Sequence, residues 1–328
     1  MIEVTHLVKR YGDKAAVDDL SFTVEKGQIY GFLGPNGAGK STTMNIMTGY
    51  IAPTSGEVRI NGHNILDEPE AARKCIGYLP EIPPVYPEMT VFEYMTFAAE
   101  LKKIPRKDRA KMIAEAMELT GIAEVQQRLI RNLSKGYRQR VGLAQAILGL
   151  PEIIILDEPM VGLDPKQIIE IRDLIRNLAK KHTVILSSHI LSEISAICDH
   201  IMIIAHGKLV ASDTPENLMK LMQGSGALEL TVKASASAAR SLFDGMGGIV
   251  SVDVKKSGEL DSCDITVQTE ADTDIREQIF YRCAERRLPV LRMQQSHVSL
   301  EDIFLELTGE ESVPEEQISD AEEGGEEA

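Results

Sequence analysis

A chain of 328 residues has room for more than one folded unit, and its 43% hydrophobic content is ordinary for a protein that buries a core. A net charge of −15 argues against a nucleic-acid partner, because phosphate backbones are held by clustered Lys and Arg. No stretch reaches the ~18 apolar residues of a membrane-crossing helix, and the first residues lack the basic-then-apolar pattern of a signal peptide.

In chain order, Met1 to Val8 and Val17 to Val24 read as strands, and Gln28 to Leu33 as a buried apolar strand. A glycine-rich stretch, Gly34 to Ser41, leads into helical spacing from Thr42 to Tyr50. Pro53 to Gly56 is a turn, Glu57 to Ile60 a strand, and Asn61-Gly62 a hairpin signal. From Pro87 to Leu150 the pattern is helical, with Thr90 capping Val91 to Lys103 and a second helix over Arg106 to Thr120. Ile153 to Leu156 and Thr183 to Leu186 have the unbroken apolar character of parallel strands, and Lys166 to Lys180 fits a crossover helix between them. This alternation predicts an α/β core with a helical insertion.

Gln223 to Gly226 is small and polar, as a linker would be. After it come a strand (Ala227 to Lys233), a helix (Ala234 to Met246), two strands (Gly248 to Lys255, Asp264 to Gln268), a helix (Thr273 to Arg286) and a strand (Val290 to Gln294). The order βαββαβ predicts a small ferredoxin-like α+β domain, closed by a short helix over Ser299 to Leu307. The last 19 residues, 310–328, hold nine acidic and no basic side chains and are expected to be disordered. Four well-separated cysteines (75, 198, 263 and 283) show no zinc-site spacing and fit reduced thiols.

The chemistry is concentrated in the first two-thirds. Gly34-Pro-Asn-Gly-Ala-Gly-Lys-Ser41 matches GxxxxGK[ST] between an expected strand and an expected helix, the context in which backbone N–H groups cradle phosphates. Lys40 would then reach the β- and γ-phosphates, and Ser41 would ligate Mg²⁺. The strand Ile153 to Leu156 ends in Asp157-Glu158-Pro159. Successive strand residues face opposite ways, so the two acids suit different tasks: Asp157 behind Mg²⁺, Glu158 as the general base for a water. Leu133-Ser134-Lys-Gly136-Tyr-Arg-Gln-Arg140 opens a helix; alone, Ser134 reads as a cap, and its N–H groups at a positive helix end could also bind phosphate.

Together these segments resemble the ATP-binding-cassette (ABC) ATPase family over about residues 1–220. Leu133 to Arg140 is similar to the family's LSGGQRQR signature and Val161-Gly-Leu-Asp164-Pro to its D-loop. His189, which alone would read as a packing or surface histidine, matches the switch histidine, and Tyr11 falls where an aromatic ring meets adenine. The resemblance implies a P-loop cassette with a parallel-sheet core, an antiparallel β subdomain and a helical subdomain at about 87–150. The expected domains are a nucleotide-binding domain over 1–222 and an accessory domain over 227–309.

It further implies ATP and Mg²⁺ as ligands. Nucleotide contacts are expected from Tyr11, Gly34, Asn36, Gly37, Ala38, Gly39, Lys40, Ser41, Thr42, Ser134, Gly136 and Asp164, metal contacts from Ser41, Glu81 and Asp157, and catalysis from Glu158 and His189. Two copies would close head to tail on ATP, with Ser134 and Gly136 of one facing Lys40 of the other. A separate transmembrane permease subunit would hold the chain at the inner face of the cell membrane, on the cytoplasmic side.

The chain departs from the family pattern where Lys135 and Tyr137 replace Gly and Gln of the signature, and where Glu81 stands at the glutamine of the Q-loop. These features, with Ser299 to Gly309, resemble cassettes of ABC-2-type exporters of the gliding-motility and drug-export group. The alternative is a cassette ATPase acting on nucleic acid or ribosomes. The single P-loop, the lack of a heptad run and the charge disfavour it. The C-terminal domain could regulate, dimerise or stabilise.

Overall fold

The computed structural model describes residues 1–222, 227–269 and 273–296. The expected linker 223–226, the helix over Ser299 to Leu307 and the acidic tail lie outside them. The chain divides into two compact units, Met1–Pro215 and a second from Glu216 onward.

The first unit opens with β1 (Ile2–Tyr11) and β2 (Lys14–Val24), paired antiparallel through several register shifts. β1 runs three residues past the expected Val8, because the irregularities around His6, whose φ is positive, and Lys9 break the alternation without breaking the pairing. Next come β3 (Ile29–Leu33), α1 (Lys40–Met47), β4 (Ser55–Ile60) and β5 (His63–Asn64). The Asn61-Gly62 signal is the hairpin between β4 and β5, with Ile60 opposite His63. The first four-stranded sheet is antiparallel in the order β2-β1-β4-β5.

Then follow α2 (Pro69–Lys74), β6 (Ile76–Leu79), α3 (Val91–Leu101), α4 (Arg106–Leu119) and α5 (Lys135–Ile147). Thr90 caps α3 in a full capping box with Glu93. The chain returns to the sheet with β7 (Ile153–Leu156), α6 (Pro165–Ala179), β8 (Thr183–Ser188), α7 (Leu191–Ser195), β9 (His200–Ala205) and β10 (Lys208–Asp213).

The six-stranded sheet has the order β10-β9-β3-β8-β7-β6, all parallel except β10 at one edge. Every residue of β3, β7 and β8 is buried, as strands covered on both faces require. One apolar core joins the two sheets, with Phe22 of β2 meeting Phe32 of β3 edge to face at 5.2 Å and Met44 of α1, Ile155 and Ile185 packed in the same cluster.

α8 (Pro215–Met222) starts at the boundary between the units. The second unit contains β11 (Ala227–Val232), α9 (Ala236–Ser241), β12 (Ile249–Lys256), β13 (Cys263–Thr269), α10 (Arg276–Glu285) and β14 (Val290–Ser296). Its sheet is antiparallel in the order β12-β13-β11-β14, the ferredoxin-like arrangement expected from βαββαβ. Leu228, Leu230, Val232, Ile265 and Val267 pack with Ile279 of α10 in a core of its own.

Two helices differ from expectation for a local reason. The helix expected from Thr42 to Tyr50 begins at Lys40, because Gly39 adopts φ 108 as its N-cap and turns the chain directly into α1. The helix expected over Ala234 to Met246 is only α9. Ser235 caps its start through the Ala238 N–H, and Gly245, at φ 67, belongs to the turns that follow.

Candidate functional site

The site forms where the C-terminal ends of the parallel strands meet α1. Leu33 ends β3, and the loop 34–39 folds back so that α1 starts on Lys40. Gly39 is required twice over: its φ is left-handed, and a Cβ there would lie 2.5 Å from the Ala16 carbonyl. No side chain caps the start of α1 and its first turn carries no acid, so its N–H groups remain available to an anion.

Lys40 is 5% exposed. Its Nζ donates to the carbonyls of Gly34 at 2.6 Å and Pro35 at 3.2 Å and lies 3.5 Å from Glu158 Oε1. The other carboxylate oxygen, Glu158 Oε2, is 3.0 Å from Nδ1 of His189. Asp157 is equally buried; its Oδ1 accepts hydrogen bonds from Ser41 Oγ at 3.2 Å and Ser187 Oγ at 2.6 Å. Behind it, the Tyr78 hydroxyl donates to Asn45 Oδ1 at 3.2 Å. Burial, and then the charge of Asp157, raise the Tyr78 pKa far above the usual phenol range, so this hydroxyl stays a neutral donor.

Ser41 Oγ and Asp157 Oδ1 fit a small hard cation. Adjacent oxygens of an octahedral Mg²⁺ shell, at ~2.0–2.1 Å from the ion, stand about 2.9 Å apart, close to the separation found here. Two protein oxygens are an incomplete shell, the pattern of an ion held jointly with phosphates.

Tyr11, Asn36, Gly37, Gly39, Lys40, Ser41, Thr42, Glu81, Glu158 and His189 line one cavity of about 460 Å³. Tyr11 stands at its rim, 55% exposed, with Lys9 Nζ 5.2 Å from the ring centre. Gly34 and Ala38 support the loop from below: Ala38 donates to the Pro35 carbonyl at 3.1 Å and accepts from Gly207 N–H at 2.9 Å.

Ser134 and Gly136 are not brought to Lys40 within one chain. They line a second cavity, of about 580 Å³, at the start of α5, where Ser134 Oγ caps the helix by accepting from Tyr137 N–H at 3.4 Å. Asp164 lines neither cavity; it caps α6, accepting from Gln167 N–H at 2.9 Å. The sequence reading missed Ser187, Tyr78 and Asn45. The signal for Ser187 was its place two residues before His189 at a strand end.

A buried lysine at a helix start, facing a carboxylate and a histidine delivered by two neighbouring parallel strands, defines a nucleoside-triphosphate hydrolase built on a P-loop cassette. Residues 17–161 match the family described as ABC transporter. The chain is 35% identical to the bacitracin transport ATP-binding protein BcrA of Bacillus licheniformis over 94% of this chain and 97% of that one. It is 30% identical to the daunorubicin/doxorubicin resistance ATP-binding protein DrrA of Streptomyces peucetius over 97% and 98% respectively. Among solved structures, an ATP-binding subunit of an ABC transporter matches with TM-score 0.61 and 30% identity, covering 67% of this chain and 92% of the other. The chain belongs to the ABC transporter family as an ATP-binding subunit, and its chemistry is ATP hydrolysis.

Proposed function

We propose that this ATPase powers an exporter, with two copies closing on ATP and a separate membrane permease carrying the substrate. The observation that carries the reading is the placement of the Glu158 carboxylate between Lys40 and His189 at the mouth of the P-loop cavity. Support for export comes from relatives named for bacitracin transport and for drug resistance, whose likeness extends through the second unit. Among the described residues no helix is long and apolar enough to cross a membrane, which fits a chain held at the inner membrane face by its permease.

On ATP binding, Lys40 exchanges the Gly34 and Pro35 carbonyls for β- and γ-phosphate oxygens, which satisfy an ammonium better than neutral acceptors do. The N–H groups of the loop and of α1 take the remaining phosphate oxygens, and the adenine stacks on the exposed ring of Tyr11. Ser41 and Asp157 would hold Mg²⁺, which would supply charge neutralisation at the phosphates. Glu158 orients the attacking water and takes its proton, and His189 turns to the γ-phosphate. Ser134 and Gly136 of the second copy close the site, with Asp164 near the same seam. Glu81, which lines the same cavity, would add its carboxylate beside the metal. Residues 1–222 make up the working cassette and 227–309 an accessory domain.

The test is an affinity capture of tagged Glu158→Gln protein from detergent-solubilised native membranes, with and without ATP. Co-purification of a polytopic membrane protein supports the exporter. Recovery of ribosomal material instead overturns it and leaves the ATPase chemistry standing.

A further inference from the structure

We propose that Ser187 is a positioning residue for ATP hydrolysis: its hydroxyl holds the backbone at Glu158 in the conformation that aims the carboxylate between Lys40 and His189. The inference rests on the reading of Glu158 as the general base and extends it to the group that sets its direction.

The register of the central strands places the two residues. Leu156 of β7 pairs with Leu186 of β8, so Asp157 and Ser187, the next residues on each strand, stand side by side. Ser187 is fully buried. Its hydroxyl has one proton and lone pairs to use. The proton goes to Asp157 Oδ1 at 2.6 Å, and the oxygen accepts the Glu158 N–H at 2.8 Å. One side chain thus fixes the orientation of the first acid and the backbone of the second.

The second contact matters because Glu158 sits at φ 47. A residue with a Cβ avoids this left-handed region unless its surroundings over-determine it. In that conformation the buried N–H has the Ser187 hydroxyl as its acceptor, and an unpaired buried N–H would be costly. From this backbone the Glu158 side chain reaches Lys40 with one oxygen and His189 with the other. The neighbouring Ser188 points to the opposite face. Its hydroxyl donates to the buried Glu193 carboxylate at 2.8 Å and accepts the Ile190 N–H at 3.0 Å, which holds the turn carrying His189. The two adjacent serines therefore divide the work: Ser187 serves the acids of β7, and Ser188 serves its own loop.

The reaction asks for Glu158 to be aimed at a water, so losing the Ser187 hydroxyl should slow the chemical step and leave nucleotide binding without Mg²⁺ alone, since its other contact is to Asp157 at the metal's place. The experiment compares wild type, Ser187→Ala, Glu158→Gln and the double variant in steady-state and single-turnover ATP hydrolysis, with affinity read by a fluorescent ATP analogue. Losing hydrogen bonds to charged or buried groups in the transition state corresponds to a fall of about 10- to 100-fold in kcat for Ser187→Ala. Affinity measured without Mg²⁺ is expected to stay within about twofold of wild type, and in the Glu158→Gln background the substitution is expected to cost less than about twofold more, as groups acting as a unit do.

A Ser187→Ala enzyme with wild-type kcat overturns the proposal. So does a loss shared equally by affinity, which would mark a structural role, or a full additional loss on top of Glu158→Gln. Ser187→Cys, similar in size but a weak donor, provides a second reading: it must also lose turnover, and full activity there refutes the proposal. If Glu158→Gln itself turns over at the wild-type rate, the base assignment has failed, whatever Ser187 does.

Discussion

The two oxygens of the Glu158 carboxylate are divided between two partners: Oε1 lies 3.5 Å from Lys40 Nζ and Oε2 3.0 Å from His189 Nδ1. Without nucleotide this arrangement satisfies a buried acid. In the proposed cycle both partners would turn to the γ-phosphate and release Glu158 toward a water. Glu158→Gln keeps the size of the side chain and removes its basicity. Turnover should fall by roughly 10²–10⁴, the span typical of a general base, while ATP binding persists. Single-turnover hydrolysis alongside equilibrium binding checks both halves, and unchanged hydrolysis removes Glu158 from the base role.

Lys40→Ala acts on binding. The lysine is buried with its ammonium on two loop carbonyls, poised over the phosphate cradle. A charged hydrogen bond is worth ~1.5–3 kcal/mol, so ATP affinity should weaken about 10- to 100-fold. Calorimetric titration with ATP reads this directly; an unchanged affinity would take the P-loop lysine out of recognition.

Much of this site was legible in the sequence because the P-loop and Asp157-Glu158 are contiguous and their flanking strands are unbroken apolar runs. β6 escaped the reading: its four residues Ile76–Leu79 are framed by α2 and Pro80 and carry Gly77, so no alternation or apolar run stands out. β9 and β10 were passed over as well, although Ile201 to Ala205 are all buried. The partner of Ser187 was hidden for a different reason. A serine closing an apolar strand looks like a strand end, and only the pairing of Leu156 with Leu186 reveals what it faces. The distance between Ser134 and Lys40 in the sequence pattern says nothing of their separation in one chain, since local helix capping and the proposed contact across two copies would use the same residues.

The two departures from the family pattern meet in one place. Glu81 lines the nucleotide cavity and also a neighbouring, mainly apolar cavity of about 520 Å³, which Lys135 lines as well. Lys135 Nζ rests against Gly162, where any Cβ would collide with it. An added negative charge near the phosphates and an added positive charge across the same cavity should offset each other. In a double-mutant cycle of Glu81→Gln and Lys135→Gly, ATP affinity should rise for the first, fall for the second and return toward wild type in the double variant. Solvent-accessible pairs are worth ~0.2–1 kcal/mol, so the coupling should be about two- to fivefold. Strict additivity would show that the two charges are independent.

Lys102 bears on stability and on pH. It follows α3 and donates to the carbonyls of Gln145 at 2.7 Å, Ala146 at 2.9 Å and Leu148 at 2.8 Å, the unpaired acceptors at the C-terminal end of α5. A cation at that end also meets the negative pole of the helix. Lys102→Met should therefore cost about 2 kcal/mol, seen as a lower denaturant midpoint of the first unit. Burial pulls the Lys102 pKa down to about 8 from 10.5. Between those values the unfolded chain keeps a proton that the folded chain has released, so this group favours folding increasingly as pH rises through the window. The stability gap between wild type and Lys102→Met should accordingly be wider at pH 9.5 than at pH 7. A gap that narrows would mean that the three carbonyls hold the ammonium form more strongly than burial disfavours it.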